Sequence, residues 1–199
     1  MVIEEYIKTE HIEDYLKQRE NLEDRVIEAQ YNRIFLDKIL EKNKPPFKQD
    51  VQSFGIHYVL RRIYITIVWE LVMQIYAITE DVDSDILTIN QFKNRIISEY
   101  IREEKKGEFI NGLNLLKRNA INSDYYKRIR EYRNKIICHN FLEPPKLNMN
   151  VEWIRDVMNE SIEKLEYLSL NDGNFKVRCV DLENEKKEFI DAFLDKLLE

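Results

Sequence analysis

Three side chains in the stretch YRNKIICHNF, residues 132–141, could do chemistry together: Arg133, Asn134 and His139. A histidine that titrates near neutrality can take the proton of a ribose 2′-hydroxyl or give one to the leaving 5′-oxygen. A guanidinium can hold the scissile phosphate with two hydrogen bonds and stabilise the charge that develops on it. The stretch could therefore cleave RNA without a metal ion, with Asn134 orienting the phosphate or the imidazole.

Basic residues surround this stretch in a protein that is acidic as a whole. The formal charge of −6 means that the bulk surface does not attract nucleic acid, so any RNA must bind to a local positive patch. Such a patch is formed by Lys127, Arg128, Arg130 and Lys135. Contact with RNA phosphates requires cations of this kind, and neighbouring tyrosines offer stacking surfaces for unpaired bases.

A structural interpretation of the same residues is also open. Lys and Arg in the last turns of a helix favour its negative end, and so does a His just past it. Arg133 and His139 are six positions apart, which is about 240° around an ideal helix. They share a face only if the helix loosens near Ile137.

Other catalytic classes lack their motifs. The sequence has no GxxxxGK[ST] loop, no GxGxxG and no HExxH. Its two cysteines lack the spacing of a zinc site and its three histidines are scattered, so we expect no metal site and no cofactor. The N-terminus is acidic and has no apolar core segment, and two cysteines are typical of reduced thiols. We therefore expect a soluble, cytoplasmic protein.

The composition favours one domain built of helices. Only four glycines and four prolines occur among many Lys, Glu, Leu and Ile residues, and 199 residues suffice for a substantial core. We predict a single all-α domain over residues 1–199, with its core at about 10–170 and a C-terminal extension at 171–199.

Periodicity and helix breakers predict two long helices in the first half. An amphipathic helix is predicted at 10–42 before a Pro-Pro pair, and an apolar central helix at 51–79. The apolar run in the second helix is shorter than the ~20 residues that a membrane span needs, and Glu70 interrupts it. No membrane segment is therefore expected. Glu70 is expected to pair with Arg61 or Arg133, because a buried charge requires a partner.

Capping patterns predict the elements of the second half. Thr88 and Gln91 have the spacing of a capping box, which predicts a helix through Arg102. Ser123 is a candidate N-cap for the helix at 124–137, whose end carries the motif. Asn150 is predicted to cap a further helix that ends near Leu170.

The C-terminal extension is expected to consist of a short strand followed by a helix. FKVRCV at residues 175–180 alternates between apolar and polar residues and predicts a short strand. Asp181 is predicted to open a terminal helix. Its expected apolar face consists of Leu182, Phe189, Phe193 and Leu197.

The motif and the order of these segments resemble the HEPN superfamily. The signature of that family is an Arg, usually followed by a polar residue, and then a His after four to six positions, which Arg133-Asn134…His139 matches. The wider likeness covers roughly residues 10–170. A long first helix is followed by FGIHYVLRRIYITIVWELVMQIYAITED, then SDILTINQFKNRI and YRNKIICHNF, an order most similar to the abortive-infection-type branch.

The resemblance implies an all-α HEPN-like bundle that forms a symmetric homodimer, with two motif copies facing a shared cleft. It also implies metal-independent endoribonuclease activity on RNA that leaves a 2′,3′-cyclic phosphate. Arg133 and His139 would be catalytic, with Asn134 as the accompanying polar residue. A toxin or phage-defence role would involve an antitoxin or regulatory partner. Phe141 stands where one toxin branch has a tyrosine that its antitoxin modifies, so that particular regulation is not implied.

Two other functions stay open. Some HEPN domains are inactive binding modules, so the chain could be a non-catalytic helical dimerisation or RNA-binding module. It could also be a structural partner protein in a larger complex, with its terminal helices as the interface.

Overall fold

The computed structural model describes residues 3–42, 56–79, 87–116, 127, 129–131, 133–134, 151–170 and 174–198. The helices are α1 (Ile3–Tyr6), α2 (Ile12–Lys42), α3 (Ile56–Thr79), α4 (Ile89–Arg95), α5 (Glu103–Leu115), α6 (Val151–Leu168) and α7 (Asn174–Leu198). No described residue lies in a β-strand, and one isolated antiparallel bridge joins Ile7 to Ile101. The all-α class predicted from composition is confirmed.

Helix α2 is the element against which most of the others pack. It contacts α3, α6 and α7, and its buried side chains recur every three or four residues. They include Tyr15, Leu22, Val26, Ala29, Leu36 and Ile39. The predicted helix at 10–42 is confirmed, because a 3₁₀ turn (Thr9–His11) leads directly into α2.

Helix α3 is buried along most of its surface but has one exposed stripe. The buried side chains include Leu60, Val68, Leu71, Val72, Ile75 and Ile78. The exposed stripe carries Val59, Thr66, Glu70 and Met73. Glu70 is therefore not a buried charge, so burial does not require it to have an ion-pair partner. The side chain of Arg61, one of its two expected partners, lies outside the described residues.

The same helix contains the segment of the described chain that is apolar enough to cross a membrane. By length and composition alone, Arg62–Thr79 meets that criterion, and 44% of this window is buried inside the protein. A core helix of a soluble protein meets the same criterion, so one such helix is only a weak indication of a membrane span.

The capping box predicted for α4 is present. The hydroxyl of Thr88 accepts from the backbone N–H of Gln91, and the Gln91 side chain accepts from the N–H of Thr88. The helix does not continue regularly to Arg102 as predicted. It widens into a π turn (Ile96–Tyr100), and the chain is extended at Ile101.

The charged segment that follows, for which no helix was predicted, forms α5. Its first turn carries Glu103 and Glu104, which favour the positive end of the helix dipole.

The predicted strand at 175–180 is wrong, since α7 begins at Asn174 and not at Asp181. Phe175 and Cys179, four residues apart, are both buried, whereas Val177 is 56% exposed. A strand would place all three on one face, so tertiary burial has selected the helical period. Arg178 reinforces this packing through hydrogen bonds to Glu23 at 3.1 Å and to Asp24 at 2.9 Å, both on α2.

The apolar face predicted for the terminal helix is confirmed in part. Leu182 packs against the core, and the side chain of Leu197 lies outside the described residues. Phe189 is 63% and Phe193 41% exposed, while Ile190 and Leu194 are buried in the core. Further predictions lie outside the described residues: the N-cap roles of Ser123 and Asn150, and the portion of the motif helix beyond Asn134.

Candidate functional site

The described part of the motif segment is helical and is anchored in the core by Ile129. Residues 127, 129–131 and 133–134 are helical, and Ile129 is fully buried. Arg133 lies one turn beyond Ile129 on the same side, so its side chain is directed towards the bundle and is half-buried. Packing of this helix thus determines where the guanidinium lies.

The Arg133 guanidinium stacks on the aromatic ring of Tyr76. Its central carbon lies 4.1 Å from the ring centroid, and Tyr76 is 8% exposed. This is a cation–π contact, in which the ring face attracts the positive charge without using any N–H donor. The contact holds the guanidinium against α3.

Asn134 makes a second contact with the same guanidinium. Arg133 Nη1 donates to Asn134 Oδ1 at 3.1 Å, and Asn134 itself is exposed. Arg133 Nε is buried and has no hydrogen-bond acceptor among the described residues, and no acidic side chain among them forms an ion pair with Arg133. A guanidinium has five N–H donors, and the three that neither bond Asn134 nor belong to the buried Nε have no acceptor among the described residues.

The turn of α3 that carries Tyr76 is held in place from α2. Arg25 donates one hydrogen bond to the carbonyl of Ala77 at 2.7 Å and another to that of Leu87 at 2.6 Å. The carbonyls of the last turn of a helix have no partner within the helix, so Arg25 supplies one. Burial lowers the pKa of Arg25, and the charge of Glu28 opposes that effect. Tyr76 therefore lies on a fixed support.

Basic side chains line the solvent face of the motif segment. Lys127, Arg130 and Asn134 are all exposed, and their spacing of three and four residues places them on one stripe. The structure thus brings Arg133 and Asn134 together and places Lys127 and Arg130 beside them. The remaining predicted site residues, Arg128, Lys135 and His139, lie outside the described residues, so the convergence of Arg133 with His139 stays a prediction.

Tyr76 is the residue of this candidate site that the sequence did not reveal. In the sequence it is one of several aromatic residues in an apolar helix, where core packing explains it fully. Its partner Arg133 belongs to a distant segment, and local periodicity carries no information about such a pair. An arginine and an aromatic residue at unrelated positions are too common to serve as a signal.

Comparison with models of protein families, with curated proteins and with solved structures found no match for this chain. Among the residues that the structure describes, no group of three His, Cys, Asp or Glu side chains is arranged to hold a metal ion.

Proposed function

We propose that the protein is a metal-independent endoribonuclease of the HEPN type that acts in the cytoplasm as a toxin or phage-defence effector. The observation that carries the proposal is the position of Arg133. Its guanidinium is oriented by the Tyr76 ring and by Asn134, yet it has no acidic partner among the described residues. A cation held in this way is suited to a phosphate.

In this reaction the ribose 2′-oxygen attacks the phosphorus, and the bond from phosphorus to the 5′-oxygen breaks. The products are a 2′,3′-cyclic phosphate and a free 5′-hydroxyl. His139 would act as the general acid or base, taking the 2′-hydroxyl proton or giving one to the leaving 5′-oxygen. Arg133 would stabilise the charge on the phosphate oxygens, and Asn134 would hold the guanidinium in place.

The basic residues of the motif segment would bind the rest of the RNA. Lys127 and Arg130 are exposed on one stripe of the helix, where they can contact phosphates on either side of the scissile bond. Arg128 and Lys135 would extend the same patch.

The active form would be a homodimer with the two motifs at the interface. Met73, one turn before Tyr76 on α3, is 37% exposed. An exposed apolar side chain at this place can be covered by a second copy of the chain. An antitoxin or another regulatory protein would bind to this assembly.

Cleavage of RNA in the presence of EDTA tests the proposal. We expect the wild-type protein to cleave RNA and to leave cyclic phosphate ends, and we expect Arg133→Ala and His139→Ala each to lower the rate by about 100-fold or more. His11→Ala is the matched histidine control and should cleave normally, with circular dichroism verifying that every variant folds. Equal cleavage by the wild type and both motif variants would refute the assignment.

The dimer is tested separately with Met73→Glu, because a charge in an apolar interface must be desolvated. Sedimentation should show monomers, and cleavage should be lost with them. Val177→Glu introduces the same charge at an exposed apolar position of α7 and should leave the dimer intact. Dissociation by Val177→Glu alone would place the interface on α7 instead.

The exposed basic stripe also supports a second candidate, a non-catalytic RNA-binding or dimerisation module. Phosphate contacts by Lys127 and Arg130 need no His139. In that case RNA binds without turnover, and Lys127→Gln and Arg130→Gln each reduce the slope of log affinity against log salt by about 1. Turnover that depends on His139 decides against this candidate.

A further inference from the structure

The C-terminal helix α7 carries aromatic side chains that the core does not cover. Phe189 is 63% exposed and Phe193 is 41% exposed. They are one turn apart, so they lie on one face of the helix, and the ring of Phe35 on α2 lies 6.1 Å from that of Phe193 between centroids. We refer to Phe35, Phe189 and Phe193 as the aromatic stripe. Apolar residues scattered singly over a surface are ordinary, whereas clustered aromatic side chains indicate a contact surface.

The exposure of the aromatic stripe follows from the way in which α7 packs on the core. Phe175 is buried near the start of α7, and Leu194 is buried near its end. With 3.6 residues per turn, the buried face rotates by about 100° around the helix between these two positions. This rotation moves the buried face away from Phe189 and Phe193, which are left on the flank of the helix.

Ion pairs hold this helix against α2 near both of its ends. Arg178 bonds Glu23 and Asp24 near the start of α7. Near its end, Lys38 Nζ lies 2.9 Å from the carboxylate of Asp191, and this hydrogen bond is the main cause of the raised pKa of Lys38. The aromatic stripe is therefore presented by a fixed helix, which loses little conformational freedom when a partner binds.

Two opposite charges flank the stripe on the side away from the core. Glu185 and Lys196 are both exposed, and around the helix they lie about 40° and about 20° from Phe189. Within the described part of the chain, neither of them forms an ion pair. They are 11 positions apart, which is about 16 Å along the helix. The stripe thus has a negative charge at one end and a positive charge at the other.

This pattern is complementary to itself when a second copy of α7 runs antiparallel. Phe189 and Phe193 are centred on position 191, and Glu185 and Lys196 are centred on position 190.5. A two-fold axis at this point places Phe189 on Phe193 of the second copy and Glu185 beside Lys196 of the second copy, and each pair occurs twice. Ala192 is exposed beside the axis, and its small side chain lets the two helices approach closely. A parallel pair of helices would instead place like charges together.

We propose that the aromatic stripe binds the same stripe of a second copy of this chain, with the two α7 helices antiparallel and Glu185 paired with Lys196 of the other copy. The contact uses none of the residues assigned to the dimer around the motif, so it would join such dimers into larger assemblies. Two exposed phenylalanines per copy make a contact smaller than the ~1,200 Å² of a stable interface. We therefore expect association at chain concentrations of about 10–100 µM.

Sedimentation of the full chain across a concentration series tests this contact. Between about 1 and about 200 µM chain, we expect the average mass of the wild type to rise about two-fold or more. Phe189→Glu places a charge in the stripe, where association would desolvate it, and should abolish the rise. Val177→Glu introduces the same charge on the opposite side of α7, at a position that is 56% exposed, and should leave the rise unchanged.

Charge reversal tests the antiparallel pairing. Glu185→Lys turns each flanking pair into two lysines, and Lys196→Glu turns each into two glutamates. Each variant alone should therefore associate about five-fold more weakly or worse. An equimolar mixture of the two variants restores opposite charges in every pair and should associate as the wild type does. Both side chains are exposed, so a recovery that needs both variants reports a contact between chains and not a change of fold.

Met73→Glu separates this contact from the dimer around the motif. In that variant the mass should rise from one chain instead of two, and the rise should again be lost when Phe189→Glu is added. A rise that Met73→Glu abolishes and Phe189→Glu preserves would place the association on α3 and overturn the contact on α7. A constant mass up to about 200 µM would also overturn it. So would wild-type association of both charge-reversed variants, or no recovery in their mixture.

Discussion

Two tyrosines support charged groups in different ways. Tyr76 presents its ring face to Arg133, whereas Tyr100 presents its hydroxyl to Asp14. The ring face uses none of the five guanidinium donors, so Arg133 stays able to bind an anion. The hydroxyl occupies a lone pair of the carboxylate and stabilises its charge, so Asp14 is fixed and partly satisfied. The first arrangement leaves the charged group able to bind and release a ligand. The second holds the charged group rigidly in place.

A third tyrosine, Tyr167, also uses its hydroxyl as a hydrogen-bond donor, and disrupting its contact should have the largest effect on stability. Tyr167 donates from its hydroxyl to the carbonyl of Phe109 at 3.0 Å, and it reaches that carbonyl only because Gly112 has no side chain. A Cβ at Gly112 would lie 2.6 Å from the Tyr167 ring carbon Cζ and closer still to the hydroxyl. Gly112→Ala should therefore destabilise the protein, by up to about 3 kcal/mol in urea unfolding.

Gly107 is the matched control for this prediction, because it lies on the same helix with nothing within 4 Å of an added Cβ. Gly107→Ala should stabilise α5 by about 0.5–1 kcal/mol through helix propensity. Equal stabilisation by both substitutions would contradict the close approach of Tyr167.

Tyr100→Phe should have the next largest effect. It removes the donor to Asp14 and the acceptor for Gln18 Nε2 while keeping the buried ring. We expect a loss of about 1–2 kcal/mol in thermal or urea unfolding, because the half-buried Gln18 loses one partner and Asp14 can still reach water. A variant as stable as the wild type would show that the hydroxyl network has no role in stability.

The rate of RNA cleavage should depend on the ring of Tyr76 and not on its hydroxyl. Tyr76→Phe keeps the ring face and should leave RNA cleavage unchanged. Tyr76→Leu removes the cation–π contact, which is worth about 0.5–1 kcal/mol, and should lower the cleavage rate about two- to five-fold. Loss of activity in Tyr76→Phe would mean that the hydroxyl, and not the stacked ring, matters.

The smallest effect concerns the acid stability that Asp14 provides. The pKa of Asp14 is lowered in the folded protein, first of all by the Tyr100 hydrogen bond. Its contribution to the free energy of unfolding is therefore complete at pH values above its ordinary pKa of 3.8. That contribution is lost as the pH falls through the folded value. Asp14→Asn should therefore flatten the fall in stability between pH 5 and pH 2, by less than about 1 kcal/mol because Asp14 is exposed. Urea midpoints across this range measure it, with Glu13→Gln as the exposed control. An unchanged dependence of the urea midpoint on pH would show that Asp14 does not contribute to acid unfolding.

Local patterns account for the features that sequence analysis predicted correctly. The bounds of α2 follow from an amphipathic repeat and a Pro-Pro stop, and the start of α4 follows from Thr88 and Gln91. Each of these depends on residues within a turn or two of one another. The strand predicted at 175–180 failed because alternation over six residues is weaker than the burial of Phe175 and Cys179 in the core.

The sequence by itself determined the helical class, the long helices α2 and α3, and the choice of Arg133, Asn134 and His139 as the candidate chemistry. These follow from composition, period and residue type. Only the tertiary structure decided that Arg133 lies on Tyr76, that Glu70 faces solvent, and that Tyr100 bonds Asp14 across 86 positions of the chain. The reason is physical: such contacts depend on how helices pack, and packing depends on every buried face at once.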